Sequence, residues 1–454
     1  MSAVNSEVQK VPEGYKQTEV GVIPDDWVVS EFGDLVNYVK GYPFKSADYI
    51  SAGARIIRVS DTTFDSIKDV GAAYISESSS VQYKKWKVRT NDLIFSTVGS
   101  KPPMYDSLVG KAILVSERHA GSFLNQNAVI IRAKNFTAYF QNLLLNHFRT
   151  ERYIDHIEII YRGNANQASI TLENLFQFKL PIPKNIEEQA AIANSLSDVD
   201  ALITSLEKLI AKKRAIKTAT MQQLLTGKKR LPPFGTGKHQ SSNATNSQAP
   251  ANPQNNKTTP PGYKQTELGE IPEDWEVVDL ADAAEFYDGI RKPVKSGDRA
   301  KMRGTFRYYG ASGVVDYVND YLFDGAYILL GEDGENILSR NLPLAFKVEG
   351  KFWVNNHAHV MQPRKEFNID YLAAFLESLD YSLLNSGTAQ PKLNKQSCLS
   401  VRVAKPPKAE QSKISDVLLS INSEIDILMR RLNKTQQIKQ GMMQELLTGR
   451  TRLI

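Results

Sequence analysis

The chain has 454 residues, 41 % of them hydrophobic, and carries a net charge of +6 with a single cysteine, Cys398. That length has room for roughly two to four domains, and the absence of both a long apolar run and an apolar signal core predicts neither a membrane span nor export, hence a cytoplasmic protein. One cysteine excludes an intramolecular disulfide and a cysteine-built metal site, and the basic balance is compatible with a polyanionic partner.

The chain states two phrases twice. Residues 12–29, Pro-Glu-Gly-Tyr-Lys-Gln-Thr-Glu-Val-Gly-Val-Ile-Pro-Asp-Asp-Trp-Val-Val, return at 260–277 with 13 of 18 positions identical. Residues 221–231, Met-Gln-Gln-Leu-Leu-Thr-Gly-Lys-Lys-Arg-Leu, return at 443–453. Each half is therefore a constant frame around a variable insert, and the period is far too long for a solenoid.

The first insert, about 20 to 180, alternates β-branched and aromatic runs with turn residues, as in Ala54–Val59, Asp92–Thr97, Lys111–Val115 and Ala128–Arg132. These runs predict strands, followed by a helical stretch over Phe136–Glu158. A polar segment, Tyr161–Thr171, comes next. After Pro183 no Pro or Gly occurs until Gly227, and Ile192, Leu196, Val199, Ile203, Leu206 and Ile210 step by four and three, predicting one long helix with a heptad seam. The Ser/Asn/Gln/Pro mixture that follows has too little apolar surface to fold and predicts a flexible linker. The second insert, about 268 to 402, has strand runs at Gly325–Leu330, Leu344–Val348 and His359–Met361, a helical stretch over Asp370–Leu384, and the polar segment Gly387–Asn394. The last helix repeats the seam with Ile414, Leu418, Ile421, Ile425, Leu428 and Leu432. Two matched seams are most simply satisfied by packing against each other; since the first helix leaves the first insert and the second returns from the second, antiparallel packing would place the inserts at opposite ends of a nearly circular chain.

The expected architecture is α+β: two β-rich globular domains joined by two long antiparallel coiled-coil helices with a pseudo-twofold axis. The expected boundaries are a first globular domain at 12–183, a helix at 184–229, a linker at 230–262, a second globular domain at 263–406 and a second helix at 407–450. In both polar segments Arg, Asn and Gln are able to bond guanine and adenine edges, while glycines let a backbone approach phosphates. A plain surface turn has the same composition.

Catalytic motifs do not convince. An adenine methyltransferase needs an Asn/Asp-Pro-Pro-aromatic loop, and Lys101-Pro-Pro-Met104 and Lys405-Pro-Pro-Lys408 lack the amide and the aromatic. Gly235-Thr-Gly-Lys-His239 lacks the spacing of a phosphate loop. His357-Ala-His359 would place two rings on one side of a strand, yet no further metal ligand accompanies it. No cofactor is expected, and a coiled-coil bracket carrying two adaptor domains for protein ligands is the rival to a DNA reader.

Taken together, Gly-Tyr-Lys-Gln-Thr-Glu followed by Ile-Pro-x-Asp-Trp, Tyr309-Gly-Ala-Ser-Gly313, Leu330-Gly-Glu-Asp-Gly334, Asn356-His-Ala-His359, Gly387–Asn394 and a proline followed within four or five residues by Glu-Gln at the start of each long helix resemble the specificity subunit of Type I restriction-modification systems. The first insert departs from that pattern, with Ser96-Thr-Val-Gly-Ser100 in place of Leu-Gly-Glu-Asp-Gly. The resemblance implies a non-catalytic subunit that binds a split double-stranded DNA target, one half per recognition domain. It further implies docking of two modification subunits, which methylate adenine, and of ATP-driven restriction subunits. By the same resemblance the DNA contacts fall, in the first insert, on Ser96, Thr97, Gly99, Ser100, Lys101, Asn125, Gln126, Asn127, Arg162, Asn164, Asn166 and Gln167. In the second they fall on Arg307, Tyr309, Gly310, Ser312, Glu332, Asp333, Asn355, Asn356, His357, Gln390, Lys392 and Asn394. Lys208, Lys212, Lys213, Arg214 and Lys217 on the first helix, with Arg430, Arg431, Lys434 and Lys439 on the second, would hold phosphates, serve as a solvated face, or meet an acidic patch on a modification subunit.

Overall fold

The β-branched runs become strands whose alternate side chains serve different cores, as a period of two requires. In Ala128–Ala133, Val129, Ile131 and Ala133 enter the large core of the first unit while Ala128 and Ile130 enter a smaller one with Ile57, Ile94 and Ile113. In Phe323–Gly331, Ile328 and Leu330 point one way and Leu329 the other, against Val354 and Val360. Both faces of these strands are covered, so they read as continuous apolar runs.

The computed structural model describes residues 11–164, 167–235, 259–387 and 390–453. It divides into two units, Met1–Glu207 with Arg430–Ile454, and Lys208–Met429. Most of the predicted linker, residues 236–258, lies outside the described residues.

In the first unit the central antiparallel sheet has the order Val36–Lys40, Ala128–Ala133, Leu93–Ser96, Ala112–Leu114. A second sheet has the order Phe123–Leu124, Ala54–Ile57, Ala73–Ile75. The helical stretch forms two helices, Ala138–His147 and Glu151–Ile160, where one was expected; Thr150 caps the second by accepting from the Tyr153 N–H, and the chain breaks at the buried Phe148. The second unit instead builds one six-stranded mixed sheet, with Ile369–Ser378 packed on it. Its strand order is Ala284–Phe286, Ala358–Pro363, Phe323–Gly331, Ala345–Val354, Arg303–Gly310, Gly313–Val318. The inserts thus differ in topology while the frames agree. Each frame has a hairpin, Tyr15–Thr18 with Gly21–Pro24 or Tyr263–Thr266 with Gly269–Pro272. Each also has a strand pair, Trp27–Glu31 with Lys179–Pro183 or Glu276–Asp279 with Arg402–Lys405.

The long helices span Ile186–Leu224 and Lys408–Leu446, 39 residues each. In the first unit Ile192 and Leu196 share a core with Met443, Leu446 and Leu447; in the second, Ile414 and Leu418 share one with Met221, Leu224 and Leu225. Lys439 pairs with Asp200 at 2.6 Å and Arg452 with Glu188 in the first unit, and Lys213 pairs with Glu424 in the second. Ascending numbers on one helix meet descending numbers on the other, so within each unit the two helices run antiparallel.

These pairings explain the repeated phrases. The Trp27 Nε1–H donates to Glu188 at 3.1 Å, and Arg452 bridges that carboxylate to Asp26. In the second unit Trp275 donates to Glu410 at 3.0 Å, and Arg230 bridges Glu410 to Asp274. Tyr15 donates to the Gly449 carbonyl and Tyr263 to the Gly227 carbonyl, at 3.0 and 2.9 Å. Gly449 and Gly227 have φ near +70°, and a Cβ on either would strike Pro24 or Pro272 within 2.5 Å. Each opening phrase therefore packs on the closing phrase that follows the other insert.

Candidate nucleic-acid interface

Four segments distant in sequence converge in the second unit. The Asn355 N–H donates to the Tyr309 carbonyl (3.1 Å), Glu332 N–H to the His357 carbonyl (2.9 Å), Leu393 N–H to the Glu332 carbonyl (2.7 Å) and Gly334 N–H to the Pro391 carbonyl (3.0 Å). A Cβ on Gly387 would lie 1.7 Å from the Gln390 carbonyl oxygen, so only glycine fits at position 387. Asn356, His357, Gln390 and Lys392 are exposed there, and Asp333 and Asn394 beside them are half-buried, as are Arg307, whose guanidinium donates to the Glu349 carbonyl, and Ser312.

Charge pairing holds this surface rigid. His357 donates from Nδ1 to Asp333 at 2.7 Å. Beneath it His359 donates from Nδ1 to Asp288 (2.7 Å) and from Nε2 to the Leu393 carbonyl (3.0 Å), so both ring nitrogens carry protons. Burial draws its pKa down, but the Asp288 hydrogen bond, the neighbouring Cys398 side chain and the Asp288 charge together outweigh that and push it up to about 10. Arg291 binds Glu332 at 2.6 Å and the Ala358 carbonyl at 2.8 Å, and Lys392 lies 3.4 Å from the same carboxylate. The two histidines are thus not a strand pair: His357 sits in an exposed turn, His359 is a buried cation.

The first unit gathers its candidates by a different route. Residues Arg162–Asn164 and Gln167–Ser169 form a hairpin, where a loop was expected, whose second strand pairs with Val98–Gly99. The Thr97 N–H donates to the Asn127 carbonyl (2.8 Å), and the Gln126 N–H to the Tyr42 carbonyl (2.9 Å). A Cβ on Gly41 would lie 1.9 Å from the Asn125 carbonyl oxygen, so the loop 125–127 rests directly on that glycine. Lys101, Gln126, Asn127, Arg162 and Gln167 are exposed, and Thr97, Gly99 and Asn125 half-buried. Asn164 lies on the hairpin, and Asn166 is outside the described residues.

Several predicted contacts lie inside their unit instead of on its surface. Ser96 is buried and donates to the Leu108 carbonyl (3.0 Å); Ser100 is buried and accepts from Ser107 (2.9 Å). Tyr309 and Gly310 are buried at the end of their strand, and Asn355 is buried with its oxygen taken by the His357 N–H (2.8 Å). The Glu332 carboxylate is engaged by Arg291, and Asn394 caps the helix Lys395–Leu399. Of the helix cations, Lys439 is buried on Asp200 and Lys213 is paired with Glu424, whereas Lys208, Lys212, Arg214, Arg430, Arg431 and Lys434 are exposed. Loop composition passed over Lys84-Lys85-Trp86-Lys87-Val88-Arg89, although four cations in six residues are a signal in themselves.

Among the described residues no helix is long and apolar enough to cross a membrane. Residues 24–217 and 272–439 match the family described as "Type I restriction modification DNA specificity domain". A protein of Methanocaldococcus jannaschii named for the MjaX specificity subunit of a type I restriction enzyme is 25 % identical over 452 residues, covering 97 % of each chain. The type I restriction enzyme MjaVIII specificity subunit of the same organism is 23 % identical, covering 97 % of this chain and 96 % of its own. The crystal structure of a type I restriction-modification S subunit from M. genitalium shares the fold, with a TM-score of 0.59 at 16 % identity over 92 % of this chain and 96 % of that one.

Proposed function

The chain belongs to the type I restriction-modification DNA specificity family, whose members are the non-catalytic, sequence-reading subunits of complexes that also contain methyltransferase and restriction subunits, and from that premise we propose that each unit reads one half of a bipartite duplex target. The observation that carries this reading is the convergence of chain-distant polar segments on one exposed surface per unit. In the second unit Asn356, His357, Gln390 and Lys392 are displayed there; in the first, Gln126, Asn127, Arg162 and Gln167. Amides, imidazole and cations are the groups that discriminate base edges in the major groove.

Because the two inserts differ in topology, the two half-sites differ in sequence. The repeated frame offers the same surface twice, which fits two modification subunits. Each 39-residue helix is about 58 Å long at 1.5 Å per residue, and we assign to it the fixed gap of unread bases between the half-sites. The recognition domains are 12–183 and 263–406. The buried Cys398 fits a reducing cytoplasm.

The test is selection from a random duplex pool by the complex of this chain with its modification subunits. Two short motifs at constant spacing are expected. Recovery without any enriched motif would make the chain a bracket for protein ligands.

A further inference from the structure

Resting on that reading, we propose that the exposed basic run Lys84–Arg89 of the first unit is a phosphate clamp that seats the DNA backbone beside the reading loop 125–127. Its four cations, Lys84, Lys85, Lys87 and Arg89, are all exposed, and among the described residues no carboxylate lies within 4 Å of their charged groups, the Asp92 carboxylate meeting Arg89 only at its backbone N–H (2.7 Å). They line a surface cavity of about 750 Å³ together with Gly121 and Arg132. The acid under that cavity, Asp92, is fully buried and already held by Arg132 at 2.6 Å. The cavity therefore presents uncompensated positive charge.

Backbone and ring contacts tie this run to the reading loop. The Val88 N–H donates to the Ser122 carbonyl (2.9 Å), and Lys87 bridges to Phe123, two residues before Asn125. The Trp86 ring packs 4.5 Å from Tyr42, whose own carbonyl accepts the Gln126 N–H, and Lys85 lies over the Trp86 ring. A duplex with a base edge at Gln126 has phosphates on both sides of the groove, and the run Lys84–Arg89 is an exposed cationic segment joined to that loop. Such contacts fix register and carry no sequence information.

The second unit, on a different topology, also places exposed lysines beside its candidate turn. Lys292 and Lys295 are exposed with no carboxylate within 4 Å of their ammonium groups among the described residues, on a segment anchored by the Lys292 N–H to the Val354 carbonyl (3.2 Å) and by Trp353 Nε1–H to the Lys292 carbonyl (2.6 Å). Asn355, Asn356 and His357 follow immediately.

The experiment measures binding of the assembled complex to its target duplex and to a scrambled duplex across a salt series. The variants are a fourfold Lys84→Gln, Lys85→Gln, Lys87→Gln, Arg89→Gln chain and a charge-keeping Lys84→Arg, Lys85→Arg, Lys87→Arg, Arg89→Lys chain. Each phosphate contact contributes about 0.9 to the slope of log affinity against log salt. The neutral variant should lower that slope by about 2 to 4 and weaken both duplexes by the same factor, about tenfold or more, while the charge-keeping variant retains the slope. An unchanged slope, or a loss confined to the target duplex, overturns the clamp. If the unaltered complex shows no preference for the target, the specificity reading fails, and the slopes on scrambled DNA still decide the clamp.

Discussion

Replacing Arg452 by methionine tests whether the repeated phrases close the first unit through a buried charge. The Glu188 side chain is fully buried, with Trp27 donating at 3.1 Å and Arg452 reaching it through Nε and Nη2, the latter at 2.8 Å. Without the guanidinium that carboxylate keeps one neutral donor. Stranding a buried partner costs about 3–5 kcal/mol; the Arg452 side chain is 32 % exposed, so water relieves part of this and we expect about 3 kcal/mol. For a urea titration followed by circular dichroism, that moves the midpoint down by about 1 M at a slope of about 2–3 kcal/mol/M. Pairing Arg452→Met with Glu188→Gln removes the stranded charge, so the double variant should recover to within about 1 kcal/mol of the parent. Arg230→Met with Glu410→Gln should behave alike in the second unit, where Glu410 is equally buried. A single-variant cost below about 1 kcal/mol, or a double variant that simply adds the two losses, would refute the reasoning.

Three further outcomes are expected. His359 has its pKa raised to about 10 from 6.5, so its contribution is complete below about pH 6.5 and is lost as pH rises through about 10, while Asp288, held below its ordinary value chiefly by that same proton against its burial, contributes until acid protonates it. Urea unfolding between pH 6.5 and 10 should show stability falling by up to about 1.4 kcal/mol per pH unit, and His359→Gln should be less stable near neutrality with a flatter profile; an unchanged profile contradicts the buried ion pair. Gly41→Ala pushes a methyl into the Asn125 carbonyl and should relax or abolish selection at the first half-motif while the second is retained, as read by pool selection; loss of both, or of neither, contradicts the assignment of loop 125–127. His357→Ala should loosen only the second half-motif, by about 1–3 kcal/mol at the base pair it meets, as measured with single-mismatch duplexes.

How far the chain could be read before its coordinates depends on how much each feature is determined locally. The frame was legible because heptad residues such as Ile192, Leu196, Ile414 and Leu418 mark a helix face by spacing alone, and they are buried. Their antiparallel course within each unit is not carried by the spacing and shows only in which residues meet, Lys439 with Asp200 and Lys213 with Glu424. The break between the helices at Phe148–Thr150 was not legible, because Thr150 acts as a cap only once Phe148 is drawn into the core. Segments of the candidate surface could be found from Gly, Asn and Arg, yet which members face outward could not. Ser96 and Asn355 turn inward while Gln126 and His357 turn outward, since the phase of a strand depends on its register with neighbours far along the chain. The role of Lys439 was hidden for a similar reason: it reads as a solvated helix cation until Asp200 and Arg149 surround it.

The most direct measurement is a map of methylated adenines in a host carrying either this chain or a version shortened by one heptad in each long helix. Seven residues withdraw about 10.5 Å, or about three base pairs at 3.4 Å each. The account predicts the same two half-motifs in both hosts with the gap reduced by about three base pairs. One undivided motif, or altered half-motifs across an unchanged gap, would contradict it.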